Sequence, residues 1–196
     1  MDKTLDALKK GMSTEIWGRR FYEQAVAHTE AEDGKKIFQS LVAEEQRHLD
    51  ILRGQYAALA GEGDWISAEE ARKMAESVDP EDWVADRWIS VQEAETMAES
   101  VGPTEIFPNA ESAQQLIPED ASDEEALEMA MDFEQKGYDL YREAAEEAED
   151  AQEKAVWEFL AKAEDQHYTF LQETHEYLAN EGKWYFDERE LPFFEG

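Results

Sequence analysis

Two short stretches place a carboxylate and an imidazole three residues apart: Glu45 and His48 in "AEEQRH", and Glu164 and His167 in "AEDQH". Each pair lies in a run whose regularly spaced neighbours are apolar, with Phe38, Leu41 and Leu52 around the first and Leu160 and Leu171 around the second. Residues three apart share one face of a helix, so each pair can aim an oxygen and a ring nitrogen at one point. Glu15 and Glu134 add one further carboxylate each, from apolar stripes of their own. Any one of the six alone reads as a hydrogen-bonded boundary residue. Together, at matched spacing, they read as metal ligands, because carboxylates buried side by side are costly unless cations compensate them. Oxygen-rich ligands with one imidazole per metal suit iron or manganese better than a soft-ligand metal.

The elements that must position these residues are written twice. A shift of 119 residues aligns Leu8, Met12, Glu15, Gly18, Tyr22 and Ala25 with Leu127, Met131, Glu134, Gly137, Tyr141 and Ala144. The register holds through Lys35, Leu41, Glu45, His48 and Leu52, which meet Lys154, Leu160, Glu164, His167 and Leu171, and on to "LAGEGDW" and "LANEGKW". Each copy has the periodicity of a helical hairpin with one apolar face. "TEAE" at Thr29 and "DAQE" at Asp150 read as helix N-caps, and the glycines of "GEG" and "EGK" as helix ends. Two hairpins that each bury one face pack most simply against one another, which predicts an all-α fold, a four-helix bundle with a pseudo-two-fold axis. The expected organisation is a single domain over 1–196: hairpins at 4–64 and 123–182, a crossover at 65–122 and a tail at 183–196.

The crossover holds a shorter duplication, "WISAEEARKMAESV" from Trp65 and "WISVQEAETMAESV" from Trp88. Each unit opens on a Ser with a Glu three residues later, the signature of a short capped helix. Trp65, Met74, Trp88 and Met97 are expected to pack on the bundle, or else to form a lid or partner surface.

Tyr22 and Tyr141 follow the lone glutamates by two helical turns, where a phenol either steadies a ligand carboxylate or packs in the core. His28, near a helix end, and His175, which aligns with Tyr56, read as surface or boundary residues. Glu44 aligns with Ala163 and reads as a surface residue.

Composition narrows the chemistry. The absence of cysteine excludes disulfides, thiolate zinc sites, iron–sulfur clusters and a catalytic thiol within the chain. Against 18 Lys and Arg stand 49 Asp and Glu, a formal charge of −31. Such a surface repels nucleic acid and anionic membranes and draws in cations, whether it reflects simple solubility or adaptation to salt. The opening "MDKTLDALKK" lacks a secretory apolar core, so a cytoplasmic location is expected.

The residues in hand, Glu15 with "FY" at Phe21 and Tyr22, "EEQRH", Glu134 with "LY" at Leu140 and Tyr141, "AEDQH", "IFP" at 106–108 and the tail "LANEGKWYFDE", resemble the rubrerythrin branch of the ferritin-like superfamily. The resemblance implies a ferritin-like bundle carrying a non-haem di-iron centre, with Glu15, Glu45, His48, Glu134, Glu164 and His167 as ligands and manganese or zinc as substitutes for the two iron ions. It implies reaction with hydrogen peroxide or dioxygen, as a peroxidase or a ferroxidase, and a homodimer. The chain departs from that family in two respects. Lacking cysteine, it has no rubredoxin-like module, so a peroxidase would need a separate electron-donor protein. Gly137 stands where rubrerythrins carry an additional glutamate ligand, which counts against their type of peroxidase chemistry. Two other readings stay open: a protein that sequesters iron or another divalent metal without turnover, and a purely structural acidic bundle.

Overall fold

The computed structural model describes residues 2–61, 63–67, 69–71, 73, 89–98, 106–108, 112 and 114–186. Five helices order the chain among the described residues: α1 (Asp2–His28), α2 (Glu32–Ala60), α3 (Val91–Ala98), α4 (Asp123–Glu147) and α5 (Ala151–Glu181). Among the described residues the only pairing of extended backbone is one isolated antiparallel bridge, Ser112 with Gln115. No helix among them is long and apolar enough to cross a membrane.

The helix ends follow local chemistry. Ser122 starts α4 with a reciprocal capping box, its hydroxyl accepting from the Glu125 N–H while the Glu125 carboxylate accepts from the Ser122 N–H. Asp150 caps α5 by accepting from the N–H groups of Gln152 and Glu153. Gly182 ends that helix at φ 65°, a left-handed conformation suited to glycine, and donates its N–H to Leu178 O. The start of α2 differs from the expectation. Its N-cap is Ala31, which offers no side-chain bond. Thr29 lies two residues too early to reach the first turn and instead donates to Asp123 Oδ1 at 3.0 Å, tying the α1–α2 turn to the start of α4.

α1 packs along α2 and α4 along α5, and α1 also touches α4 and α3. The interior divides into two apolar clusters. One contains Phe21, Phe38, Leu41, Leu127, Phe133 and Leu171, and the other contains Leu8, Met12, Leu49, Leu52, Trp157 and Leu160. Every long helix contributes to both clusters, so partners within each hairpin are antiparallel, whereas α2 and α4 both run from the first cluster to the second. The connection between them must therefore return the length of the bundle, about 40 Å for helices of this size.

Side-chain bonds trace that return. Gln55 exchanges two bonds with the Ile66 backbone, and Arg53 donates to Ile89 O through Nε and Nη2. Lys136 donates to Ile106 O at 2.6 Å, and Gln24 accepts from the Leu116 N–H at 2.8 Å. Of the crossover residues expected on the bundle, Trp65 meets Trp157 edge-on and Met97 packs on the second cluster. Met74 and Trp88 lie outside the described residues. In the second unit of the duplication, Ser90 and Glu93 cap α3 reciprocally and Ala94 is fully buried.

Candidate metal centre

Between the two apolar clusters lies a polar layer, and all six residues singled out by spacing meet in it. α1 contributes Glu15, α2 Glu45 and His48, α4 Glu134, and α5 Glu164 and His167. None is more than 3% exposed. The two imidazoles stack with their centroids 5.3 Å apart and their planes 17° from parallel. His48 Nδ1 lies 3.4 Å from Glu15 Oε2 and 3.2 Å from Glu164 Oε1. His167 Nδ1 lies 3.2 Å from Glu134 Oε2 and 3.6 Å from both Glu45 Oε1 and Glu164 Oε2. Each imidazole thus faces carboxylates from both halves of the chain. Glu45, His48, Glu164 and His167 each offer a ligand atom within 4.8 Å of the other three, and this group could hold a metal ion.

The tyrosines act across the repeat and not within it. Tyr22 donates to Glu134 Oε1, and Tyr141 donates to Glu15 Oε1. Each phenol engages one oxygen of a lone glutamate and leaves the other oxygen beside a histidine. Burial, followed by the adjacent carboxylate, pushes both phenols well above their ordinary pKa, so each keeps its proton to donate.

The electrostatics of the layer are unbalanced. Four carboxylates face two imidazoles, so with all four ionised even two imidazolium ions would leave excess negative charge in a region closed to water. Burial, the largest single influence, would lower both imidazoles, but Glu15 and Glu164 together outweigh it at His48, raising it to about 10. Glu134 and Glu164 together do the same at His167, raising it to about 9. Burial, and then the charges of Glu15 and Glu134, push Glu45 well above the carboxylate range. Glu134 rises to about 8 because burial outweighs the attraction of His167. Glu164 moves the other way: burial would raise it, but the adjacent Glu134 and the imidazoles of His167 and His48 hold it below its usual value. In the metal-free layer the surroundings therefore favour the protonated form of Glu45 and Glu134 and the charged form of Glu164.

The donor set fits a metal. Both oxygens of Glu45 and of Glu164, Glu15 Oε2 and His48 Nδ1 are buried with no hydrogen-bond partner. Leaving a buried polar atom unsatisfied costs about 1–3 kcal/mol, and a cation at their common focus would satisfy several at once. Oxygen and imidazole ligands without sulfur favour iron, manganese or zinc.

Two glycines belong to the site although neither carries a side chain. A Cβ on Gly137 would lie 3.2 Å from Glu164 Cδ, and one on Gly18 would lie 3.0 Å from Glu45 Oε2 and 2.5 Å from Phe133 Cε1. A glycine inside a helix costs about 1 kcal/mol relative to alanine. Here that cost gives Glu45 and Glu164 room to lie against α1 and α4. The signal was present in the sequence, a glycine three residues after each lone glutamate.

Residues outside the layer also fall into place. His28, half-buried, bonds Ala121 O through Nε2, and His175 sits 3.5 Å from Glu128, both away from the centre. Glu44 corrects the sequence reading: it is only 7% exposed and pairs with Arg47 one turn on, whose guanidinium lets the carboxylate fold against the helix. Arg19, next to Gly18, donates to Gln46 Oε1 at 2.6 Å and to Glu95 Oε1 at 3.1 Å, fastening α3 across the two helices that carry Glu15 and Glu45.

Comparison with protein-family models, curated proteins and solved structures returns no match, so the chemistry of this centre is argued from its own geometry.

Proposed function

We propose that the chain is a ferritin-like, non-haem di-iron protein that reacts with hydrogen peroxide or dioxygen. One observation carries this reading: the two carboxylates at the middle of the layer, Glu45 and Glu164, have all four oxygens buried without a hydrogen bond, beside two stacked imidazoles. The contacts divide the other ligands into Glu15 with His48 and Glu134 with His167. That division suits two ions, each of which would be held by its own carboxylate and imidazole, with Glu45 and Glu164 available to both.

Iron held there would supply electrons for cleaving an O–O bond. The chain's own residues do the rest. Tyr22 and Tyr141 orient the terminal carboxylates, and the two apolar clusters exclude bulk water from the layer. Glu45, whose protonated form the metal-free layer favours, gives up its proton when cations arrive. Reduction of hydrogen peroxide to two waters consumes two electrons and two protons. In a peroxidase those electrons come from a separate donor protein; in a ferroxidase they come from further Fe(II), which the −31 surface concentrates.

Two measurements test the proposal. Metal analysis after anaerobic reconstitution should return two irons per chain, and a chain that retains none overturns it. One equivalent of peroxide added to the Fe(II) protein should be consumed as ferric absorption appears. Iron bound with peroxide left intact would instead support sequestration without turnover.

A further inference from the structure

The repeat relates two aromatic columns that lead away from the centre, and it breaks at one position. In one column the Tyr22 ring lies on Phe38 at 6.1 Å and 27°, and Phe38 meets Trp184 at 5.6 Å and 71°. In the other, Tyr141 lies on Trp157 at 5.8 Å and 15°, and Trp157 meets Trp65 at 5.9 Å and 74°. The shift of 119 residues carries Tyr22 to Tyr141, Phe38 to Trp157 and Trp65 to Trp184. The two columns are one construction, stacked and then edge-on, with phenyl at the middle of one and indole at the middle of the other.

That difference governs electron transfer. An indole or a phenol gives up one electron far more readily than a phenyl ring, so Phe38 interrupts its column and Trp157 completes its own. The ends differ in the same sense. Trp65 is only half-buried, whereas Trp184 is 8% exposed and donates Nε1 to Asp123 Oδ2 at 2.7 Å, a carboxylate that would take its proton and trap an oxidised ring. Trp157 Nε1 is buried with no hydrogen-bond partner, so an oxidised Trp157 keeps its proton and its drive to accept an electron. At the inner end Tyr141 donates to Glu15 Oε1, so the column meets the centre through an existing hydrogen bond.

We propose that Tyr141, Trp157 and Trp65 form the one-electron route between the buried centre and the protein surface, and that the column through Phe38 does not conduct. The proposal rests on the redox reading above and adds the path by which electrons enter. Tyr141 gives one electron to the centre, its phenolic proton moving along the hydrogen bond it already makes. Trp157 then gives an electron to Tyr141, which recovers that proton. Trp65 reduces the Trp157 radical cation, and a one-electron reductant at the surface restores Trp65. One electron crosses with no net loss of protons from the column. Two such passages, with two protons from solvent, match the reduction of one peroxide to two waters.

The test compares Trp157→Phe, Phe38→Trp and Trp184→Phe with the unaltered protein. Phenylalanine already fills the equivalent position at Phe38, so Trp157→Phe should fold and bind the same amount of iron. Iron-loaded samples are treated with peroxide, then ascorbate, and followed by rapid-freeze electron paramagnetic resonance. In Trp157→Phe a tyrosyl radical at Tyr141 should persist, its decay by ascorbate slowed by an order of magnitude or more; Trp184→Phe should behave as the unaltered protein, and Phe38→Trp should not slow decay. Equal decay in Trp157→Phe and the unaltered protein overturns the proposal. A metal-free arm separates this failure from failure of the di-iron reading. Oxidation of the apoprotein by photo-excited ruthenium tris-bipyridine and persulfate should yield, beside the signal of exposed tyrosines such as Tyr177 and Tyr185, a tyrosyl component that Tyr141→Phe removes and Trp157→Phe diminishes. That component undiminished in Trp157→Phe also overturns the route.

Discussion

Replacing each mid-helix glycine with alanine separates what a helix prefers from what the centre requires. Either change favours the helix by about 1 kcal/mol. At Gly137 the new methyl would meet only the flexible Glu164 side chain, 3.2 Å from Cδ, 3.3 Å from Cγ and 3.4 Å from Oε2. In the metal-free protein that glutamate can yield by a few tenths of an ångström. Gly137→Ala should therefore keep most of the propensity gain, raising Tm by roughly 2–4 °C for a chain of this size. With metal bound, Glu164 cannot move without leaving its ligand position, and affinity should fall by about 10–100-fold, as when the support of a ligand is altered. At Gly18 the methyl would lie 2.5 Å from Phe133 Cε1, and that ring is held by Phe107 at 5.3 Å and Tyr22 at 6.1 Å. Overpacking of this kind costs about 1–3 kcal/mol, so Gly18→Ala should be destabilised by up to about 2 kcal/mol net after the propensity gain. Calorimetry in chelator and titration with Mn(II) or Fe(II) read the two effects separately. Metal-free Gly137→Ala melting as low as Gly18→Ala, or binding metal with unchanged affinity, would refute the argument that these glycines make room for the carboxylates.

Two further predictions concern charge in the layer. Glu45, Glu134, His48 and His167 all have raised pKa values in the folded metal-free chain, Glu134 to about 8, His167 to about 9 and His48 to about 10. A raised group stabilises the fold below its unfolded value and loses that contribution as pH rises through its folded value. The carboxylate contributions therefore fade upward from about pH 4.3 and the imidazole contributions from about pH 6.5. Glu164 has the opposite sign, losing its contribution only as pH falls below the ordinary carboxylate range. Metal-free Tm should thus fall between about pH 6 and about pH 10, whereas metal affinity should rise as protons cease to compete; a metal-free Tm that climbs over that window contradicts the assignment. The second prediction contrasts two isosteres. Glu45→Gln replaces a carboxyl whose protonated form the layer already favours and should leave the metal-free protein as stable or more so. Glu164→Gln removes the charge that both imidazoles face and should cost about 3–5 kcal/mol, the range for breaking a buried pair. Urea unfolding in chelator gives both numbers, and equal losses would show that the charge is not localised on Glu164.

The spacing of Glu45, His48, Glu164 and His167 made their meeting legible, because a helix turns every residue of one stripe toward the same neighbours and the repeat doubles the constraint. The capping box of Ser122 and the cap at Asp150 were legible for a similar reason: each depends on residues no more than three apart. What the sequence did not disclose depends on contacts between distant segments. Thr29 has the residue type of a cap but spends its hydroxyl on Asp123, 94 positions away. Glu44 has no counterpart at Ala163 and reads as solvated, yet Arg47 folds it against the helix. The tyrosines read equally as steadying a ligand carboxylate or as packing in the core; periodicity places Tyr22 over Glu15, and only the packing of α1 on α4 hands it to Glu134.

This exchange between halves is systematic, and it bears on how the centre is built. Tyr22 serves Glu134 while Tyr141 serves Glu15, His48 faces Glu164, and Trp65 of the first copy covers Trp157 of the second as Trp184 covers Phe38. Neither hairpin alone completes its own ligand set, its own tyrosine bond or its own aromatic column. The arrangement is that of two identical hairpins related by a two-fold axis, in which each supplies what the other lacks. The crossover at 65–122 joins them in one chain, and a single chain, unlike a symmetric pair, can differ on its two sides. Phe38 against Trp157 is such a difference: a symmetric dimer would have to carry both columns as phenyl or both as indole. Fusion permits one conducting column and one insulating column around a layer whose glutamates and histidines remain symmetric.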